Sequence, residues 1–384
     1  MGSLRFILAM SVVYGHAGDF LGFPLIPGDT AVQSFYAISG FYMALVLNEK
    51  YRPKSSSYFL FISNRFARLF PIYAAVLVLT LLLAFVLSHF SSTELPFVSQ
   101  WRALPPLTLS SDVFLVGSQL LMWGQDLYFF LTLKAGGLVF WPDFHSAPQR
   151  LYTLLAIPQG WTLGLEFSFY LIAPFIVRRS AGAIAFWLAA SLVLRLVLQF
   201  EMGYYGDPWS YRFFPSEIAV FLVGALAYRV YRSQNLRVDR IVLATFVGAI
   251  ACVGAMLLVN RWHGATRVAS ICFLMASFGL IPFLFRATKD RLLDRHLGEL
   301  SYPIYICHFL VIWLLDAIAV FGTGITRGFT ILVGTVVASG ALYWWVDRPV
   351  DEWRQRRLKA TPQVHPAAIV TQRPGLAPVA NPAE

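Results

Sequence analysis

Long apolar stretches separated by short polar ones dominate the chain. Helix-length windows almost free of charge lie near 4–22, 31–48, 69–90, 113–133, 159–177, 182–200, 213–231, 241–259, 266–285, 303–321 and 325–346. A helix that crosses the hydrocarbon core of a bilayer needs about 20 mostly apolar residues, and these windows are of that length. The pattern predicts an all-α, polytopic membrane helix bundle with lipid as its main solvent. No internal repeat and no pair of short, broken helices of the kind that marks many transporters is visible.

The number of crossings follows from where the cations sit. Lys and Arg gather in five stretches: 49–68, 178–179, 229–240, 286–295 and 348–359. Cytoplasmic loops carry the excess of Lys and Arg, so all five belong on one side. They fall on one side only if one window between 68 and 178 does not cross. The weakest is 113–133, interrupted by Gln119, Gly124, Gln125 and Asp126 and preceded by Pro105-Pro106. It is expected as a re-entrant or surface helix on the outer face. That leaves about ten transmembrane helices with both termini cytoplasmic. The loop 201–212, poor in Lys, is then external, and the Pro- and Ala-rich residues 359–384 form a disordered cytoplasmic tail.

Composition narrows the function classes. Of 384 residues, 58% are apolar and 13% charged, and the mean hydropathy is +0.63, outside the range of soluble domains. The net charge of +10 sits in loops between apolar runs, where topology and anionic lipid explain it, so a nucleic-acid partner is not expected. Cys252, Cys272 and Cys307 lie inside apolar windows without metal-ligand spacing, which argues against a disulfide framework and a metal site. Residues 4–22 are apolar enough for a signal peptide, but Arg5, His16 and Asp19 within them and the lack of a cleavage pattern favour a retained first span.

Ionisable groups inside such windows are costly, so each is a functional candidate. His16 and Asp19, three residues apart, face one way on a helix and suggest a general base oriented by a carboxylate. The bland alternative is a polar residue bonded between packed helices. Glu166, two turns into Trp161-Thr162-Leu163-Gly164-Leu165-Glu166, is expected at the depth of His16, and pairing with it would relieve both. Arg65 and Arg68, at i and i+3 near a helix start, suit a polyphosphate ligand and equally suit lipid headgroups. His308 in Ser301-Tyr302-Pro303-Ile304-Tyr305-Ile306-Cys307-His308 serves either structure or contact with a bound donor.

Taken together and in order, these motifs are familiar. Arg5 and His16 in the first span, Ser34 to Phe41 in the second, Arg65-Phe66-Ala67-Arg68, WTLGLEFSFYLIAP, SYPIYICH and the closing Asp347-Arg348-Pro349 resemble the membrane acyltransferase-3 family over about residues 4–352. Tyr36-Ala37 and Asp347 depart from the commoner residues of that pattern. The resemblance implies an O-acyltransferase of the bacterial cytoplasmic membrane. It would move an acetyl or short acyl group from acetyl-CoA or another acyl-CoA to a hydroxyl of a surface or exported glycan or lipid-linked oligosaccharide. It implies that Arg5, His16, Arg65 and Arg68 are functional positions; the residues' own chemistry suggests His16 as base, Asp19 or Glu166 orienting it, Arg65 and Arg68 on donor phosphate, and Arg5 either on donor phosphate or paired within the bundle. The rival readings are a glycolipid transporter or flippase and an acyltransferase acting on a small metabolite. A homo-oligomer is left open.

Overall fold

The computed structural model describes residues 1–18, 20–22, 25–51, 57–91, 93–233, 240–260, 265–318 and 324–360. In chain order the helices are α1 (Gly2–Ala17), α2 (Gly28–Glu49), α3 (Ser57–Phe90), α4 (Pro96–Arg102), α5 (Leu109–Leu121), α6 (Trp161–Ile176), α7 (Ala181–Leu196), α8 (Phe214–Arg232), α9 (Arg240–Asn260), α10 (Ala265–Thr288), α11 (Leu292–Ile318), α12 (Ile325–Leu342) and α13 (Arg348–Ala360). Among the described residues the only strands are β1 (Leu131–Lys134) and β2 (Gly137–Phe140), an antiparallel hairpin. The protein is therefore all-α, and among the described residues seven helical stretches are long and apolar enough to cross a membrane. Phe85 and Phe90 of α3, Phe186 of α7 and Phe329 and Val337 of α12 are exposed, which suits a surface solvated by lipid.

The centre of the bundle is α2 against α8. A Cβ on Gly40 would stand 1.8 Å from the Phe221 carbonyl oxygen, and one on Gly224 would stand 1.8 Å from that of Ala37. The two backbones thus touch through reciprocal glycines, the close approach that membrane helices use in place of hydrophobic pressure. Helix α1 runs beside α11 and in the same direction: Gly2 lies against Asp294, and His16 against His308. The Asp294 carboxylate accepts from Gly2 N at 2.7 Å, Ser3 N at 2.9 Å and Ser3 Oγ at 2.8 Å, capping the first turn of α1.

The basic stretches meet at one end. Arg178 donates to the carbonyls of Leu47 and Tyr51, Arg229 to that of Val177, and Arg286 to that of Tyr231. Asn64 bonds Tyr51, and Arg68 pairs with Asp347. These contacts bring together the ends of α2, α6, α8, α10 and α12 and the start of α3, the grouping expected from the distribution of Lys and Arg.

Two elements differ from or sharpen the expectations. The first helix stops at Ala17 rather than near residue 22, because Gly18 takes a left-handed conformation (φ 101°) and its N–H caps Tyr14 O. The expected helical face shared by His16 and Asp19 cannot be followed, since Asp19 lies outside the described residues. Within 113–133, helix α5 has 13 residues, about 20 Å at the usual rise, short of a hydrocarbon core of about 30 Å. A 3-10 turn at Gln125–Phe129 and the hairpin follow it. Of the expected tail, residues 359–360 close α13 and 361–384 lie outside the described residues.

Candidate active site

Helices α1, α2, α3, α6 and α11 enclose a cavity of about 220 Å³ that carries Arg5, Arg65, Arg68 and Glu166 in its lining. Arg65 and Arg68 share a face because they are three residues apart on α3. Three arginines against one glutamate give the lining a formal charge of +2. The three cations are not equivalent. Arg68 Nη1 lies 3.0 Å from both oxygens of Asp347 and 4.0 Å from Asp351 Oδ1, so its charge is already matched. Arg65 has a buried Nε with no acceptor, and Arg5 forms no ion pair among the described residues. Glu166 accepts from Ser39 Oγ at 2.7 Å and from the Tyr170 hydroxyl.

His16 faces a second, wider cavity of about 860 Å³. Its ring stacks on His308 with centroids 5.2 Å apart and planes 22° apart, and Phe309 lies at 4.7 Å. His308 is fully buried and lines neither cavity. Its Nδ1 is 2.7 Å from Tyr305 O, which accepts only from a protonated nitrogen and so places the proton of the neutral ring on Nδ1. This geometry makes His308 a backing for the His16 ring.

This second cavity is also lined by aromatic rings, with Phe129, Phe144, Tyr152, Trp161 and Tyr211. Arg212 is sandwiched there, its guanidinium 4.0 Å from the Phe129 centroid and 4.2 Å from that of Trp161, and its Nε donates to Asp207 at 2.8 Å. Aromatic faces combined with carboxylates and amides suit a polyhydroxylated ligand.

The expected pairing of Glu166 with His16 is not found. Glu166 bonds Ser39 and Tyr170 and faces the arginines; it does not pair with His16. The reason is local: α1 ends one residue after His16, whereas Glu166 sits five residues inside α6, about 7.5 Å along its axis. The two cavities share Val32 and Tyr305 as lining residues, and the Tyr305 hydroxyl is 3.1 Å from Thr162 Oγ1. Tyr305 is thus the partition between the arginine end and the histidine end. Ser39-Gly40 divides its labour: Gly40 packs against α8 while Ser39 points into the arginine cavity.

Sequence reasoning missed two features. Arg195 of α7 and Glu217 of α8 form a buried ion pair of 2.5 Å, with Gln33 Nε2 donating to the same carboxylate at 3.2 Å. Both lie within apolar windows, so the rule that singled out Glu166 applies to them as well. Arg212 had no such signal, because it sits in a loop and gains meaning only from rings distant in the chain.

With this geometry in hand, the chain can be compared with known proteins. A family model described as an acyltransferase domain matches residues 2–344. The chain belongs to the acyltransferase-3 family. Among its relatives within and around this family, the acyltransferase MdmB of Streptomyces mycarofaciens is 23% identical over 381 residues, 88% of this chain and 85% of that one. An uncharacterized protein of Aquifex aeolicus (strain VF5) is 22% identical over 201 residues, 52% of this chain and 90% of its own. Protein 2 in the picA locus of Rhizobium radiobacter is 33% identical over 79 residues, 21% of this chain and 41% of that protein. No solved structure matches the chain. Family membership and the seven apolar helices make this a multi-pass membrane protein with acyltransferase activity.

Proposed function

We propose that the protein takes an acetyl or other short acyl group from acyl-CoA at the arginine cavity and delivers it to a hydroxyl of a surface or exported glycan in the outer cavity. In this reading the chain crosses the bacterial cytoplasmic membrane ten times, with α1, α6 and α9 completing the set and both termini cytoplasmic. The basic end, which holds Arg65 and Arg68, then faces the cytosol, where acyl-CoA is made.

The observation that carries the reading is that one helix bears both ends of the reaction. Arg5 and His16 lie eleven residues apart on α1, about 16 Å along its axis, a distance an extended pantetheine arm covers. The donor phosphates would rest on Arg5, Arg65 and Arg68, and the thioester would pass Tyr305 to reach His16. There the His16 imidazole takes the proton of the acceptor hydroxyl, the oxygen attacks the thioester carbonyl, and the C–S bond breaks. CoA leaves as a thiolate and recovers the proton. His308 behind the ring holds it in place, and Glu166 polarises groups at the donor end.

A second route has its own support. Ser39 Oγ, 2.7 Å from Glu166 in the arginine cavity, is placed to accept the acyl group first, with its proton passing to the carboxylate. The test for both is acyl transfer by purified protein in nanodiscs from radiolabelled acetyl-CoA. Complementation of a deletion strain by wild type or His16→Ala, read as O-acyl content of surface glycan, tests the acceptor. Glycan acylation that persists with normally expressed His16→Ala removes the base assignment, and label bound covalently to Ser39 selects the second route.

A further inference from the structure

Helix α13 lies beyond the family match at residue 344, and none of the chemistry above uses it. Its Arg354 is nevertheless only 6% exposed. Arg354 Nη1 donates to Asp351 Oδ1 at 2.8 Å, and that same oxygen is 4.0 Å from Arg68 Nη1. Asp351 therefore links Arg354 to the arginine face of α3, and Arg354 lies within charge–charge range of both Arg65 and Arg68. Its Nε is buried with no acceptor, as is that of Arg65.

An unbonded, buried N–H on a charged group is costly, and gathering guanidinium groups of like charge adds to that cost. Arg354 does not itself line the cavity, but Asp351 holds its guanidinium beside Arg68, which does, so the two orphan N–H groups stand on different helices at the positive end of the lining. Asp347 and Asp351 offset Arg68 and part of Arg354, and no carboxylate reaches either orphan Nε. An arriving polyanion would relieve both.

We infer that Arg354 belongs to the donor-binding site and places a further guanidinium on the phosphates of the CoA moiety, which makes α13 an element of that site. This rests on the donor reading above. The 3′-phosphate and diphosphate of CoA together carry more negative charge than Arg5 and Arg65 offset, with Arg68 already paired.

The test is calorimetric titration of CoA into the full chain in phosphatidylcholine nanodiscs, for wild type, Arg354→Gln and Asp351→Asn. Arg354→Gln weakens CoA about tenfold, the loss of one charge-assisted contact. Asp351→Asn tightens it, because Arg354 is released from its carboxylate partner. If Arg354 serves only to hold Asp351, the two variants weaken CoA alike and the proposal falls. It also falls if Arg354→Gln binds CoA within about twofold of wild type, one charge-assisted contact being worth more than that. In discs containing phosphatidylglycerol, a loss confined to those discs assigns Arg354 to a lipid headgroup and overturns the proposal. Wild type that does not bind CoA at all overturns the donor reading itself, and that result needs no variant.

Discussion

Arg65 and Arg68 look alike in sequence, and the structure says that replacing them has different consequences. Asp347 is nearly buried, with its side chain 4% exposed, and Arg68 is its bidentate partner while keeping 22% exposure. Removing one member of a buried pair costs about 3–5 kcal/mol because the other is left uncompensated. The partial exposure of Arg68 places this case at the low end. Arg68→Gln therefore lowers the thermal midpoint by several degrees, and Asp347→Asn in the same chain recovers most of the loss.

Among the described residues Arg65 has no carboxylate partner, so Arg65→Gln leaves no buried charge behind and its midpoint stays near wild type. Its loss falls on the ligand: one charge-assisted hydrogen bond is worth about 1.5–3 kcal/mol. At 1.4 kcal/mol per factor of ten, the donor KM rises about 10- to 150-fold. The assay is melting by tryptophan fluorescence in detergent, paired with initial rates against acetyl-CoA concentration. Two results refute the reasoning: Arg68→Gln melting like wild type, or Arg65→Gln with a lowered midpoint and an unchanged donor KM.

Three further outcomes follow from the same contacts. His16→Ala lowers kcat about 10²- to 10⁴-fold, the usual worth of a general base, while CoA affinity measured by titration stays within about twofold. Gly224→Leu forces α8 away from the Ala37 carbonyl, 1.8 Å from where its Cβ would stand, and size-exclusion chromatography should show loss of the monodisperse species. Glu217→Gln strands Arg195, which is 2% exposed, and lowers the thermal midpoint more than Arg195→Met/Glu217→Gln does; equal midpoints would show the pair to be uncoupled.

What the sequence made legible is what depends on averages over a helix. The apolar windows locate the helices, and the alternation of Lys and Arg between them predicts which helix ends meet, as the bonds among Arg178, Arg229, Arg286 and their acceptors show. Averaging also misplaced the end of the first helix. Phe20 and Leu21 kept the first window apolar to residue 22, while the stop signal was a single glycine, Gly18, whose left-handed conformation ends the helix.

Pairing between distant residues has no local signal, and that is where the site reading was incomplete. Asp347 meets Arg68 across 279 residues and Ser39 meets Glu166 across 127, separations that only the packed bundle closes. Costs inside a membrane single out which residues must have partners; they do not choose the partners. Glu166 needs one, and His16 is the nearest candidate by depth, but the hydroxyls of Ser39 and Tyr170 satisfy the carboxylate instead. That choice matters for chemistry: in the proposed reaction Glu166, held by hydroxyls rather than by His16, shares the cavity with Arg5 and Arg65, where an incoming phosphate would meet it. On that proposal the thioester end of the donor, being neutral, is the part of the ligand that would pass Glu166 toward Tyr305 and His16.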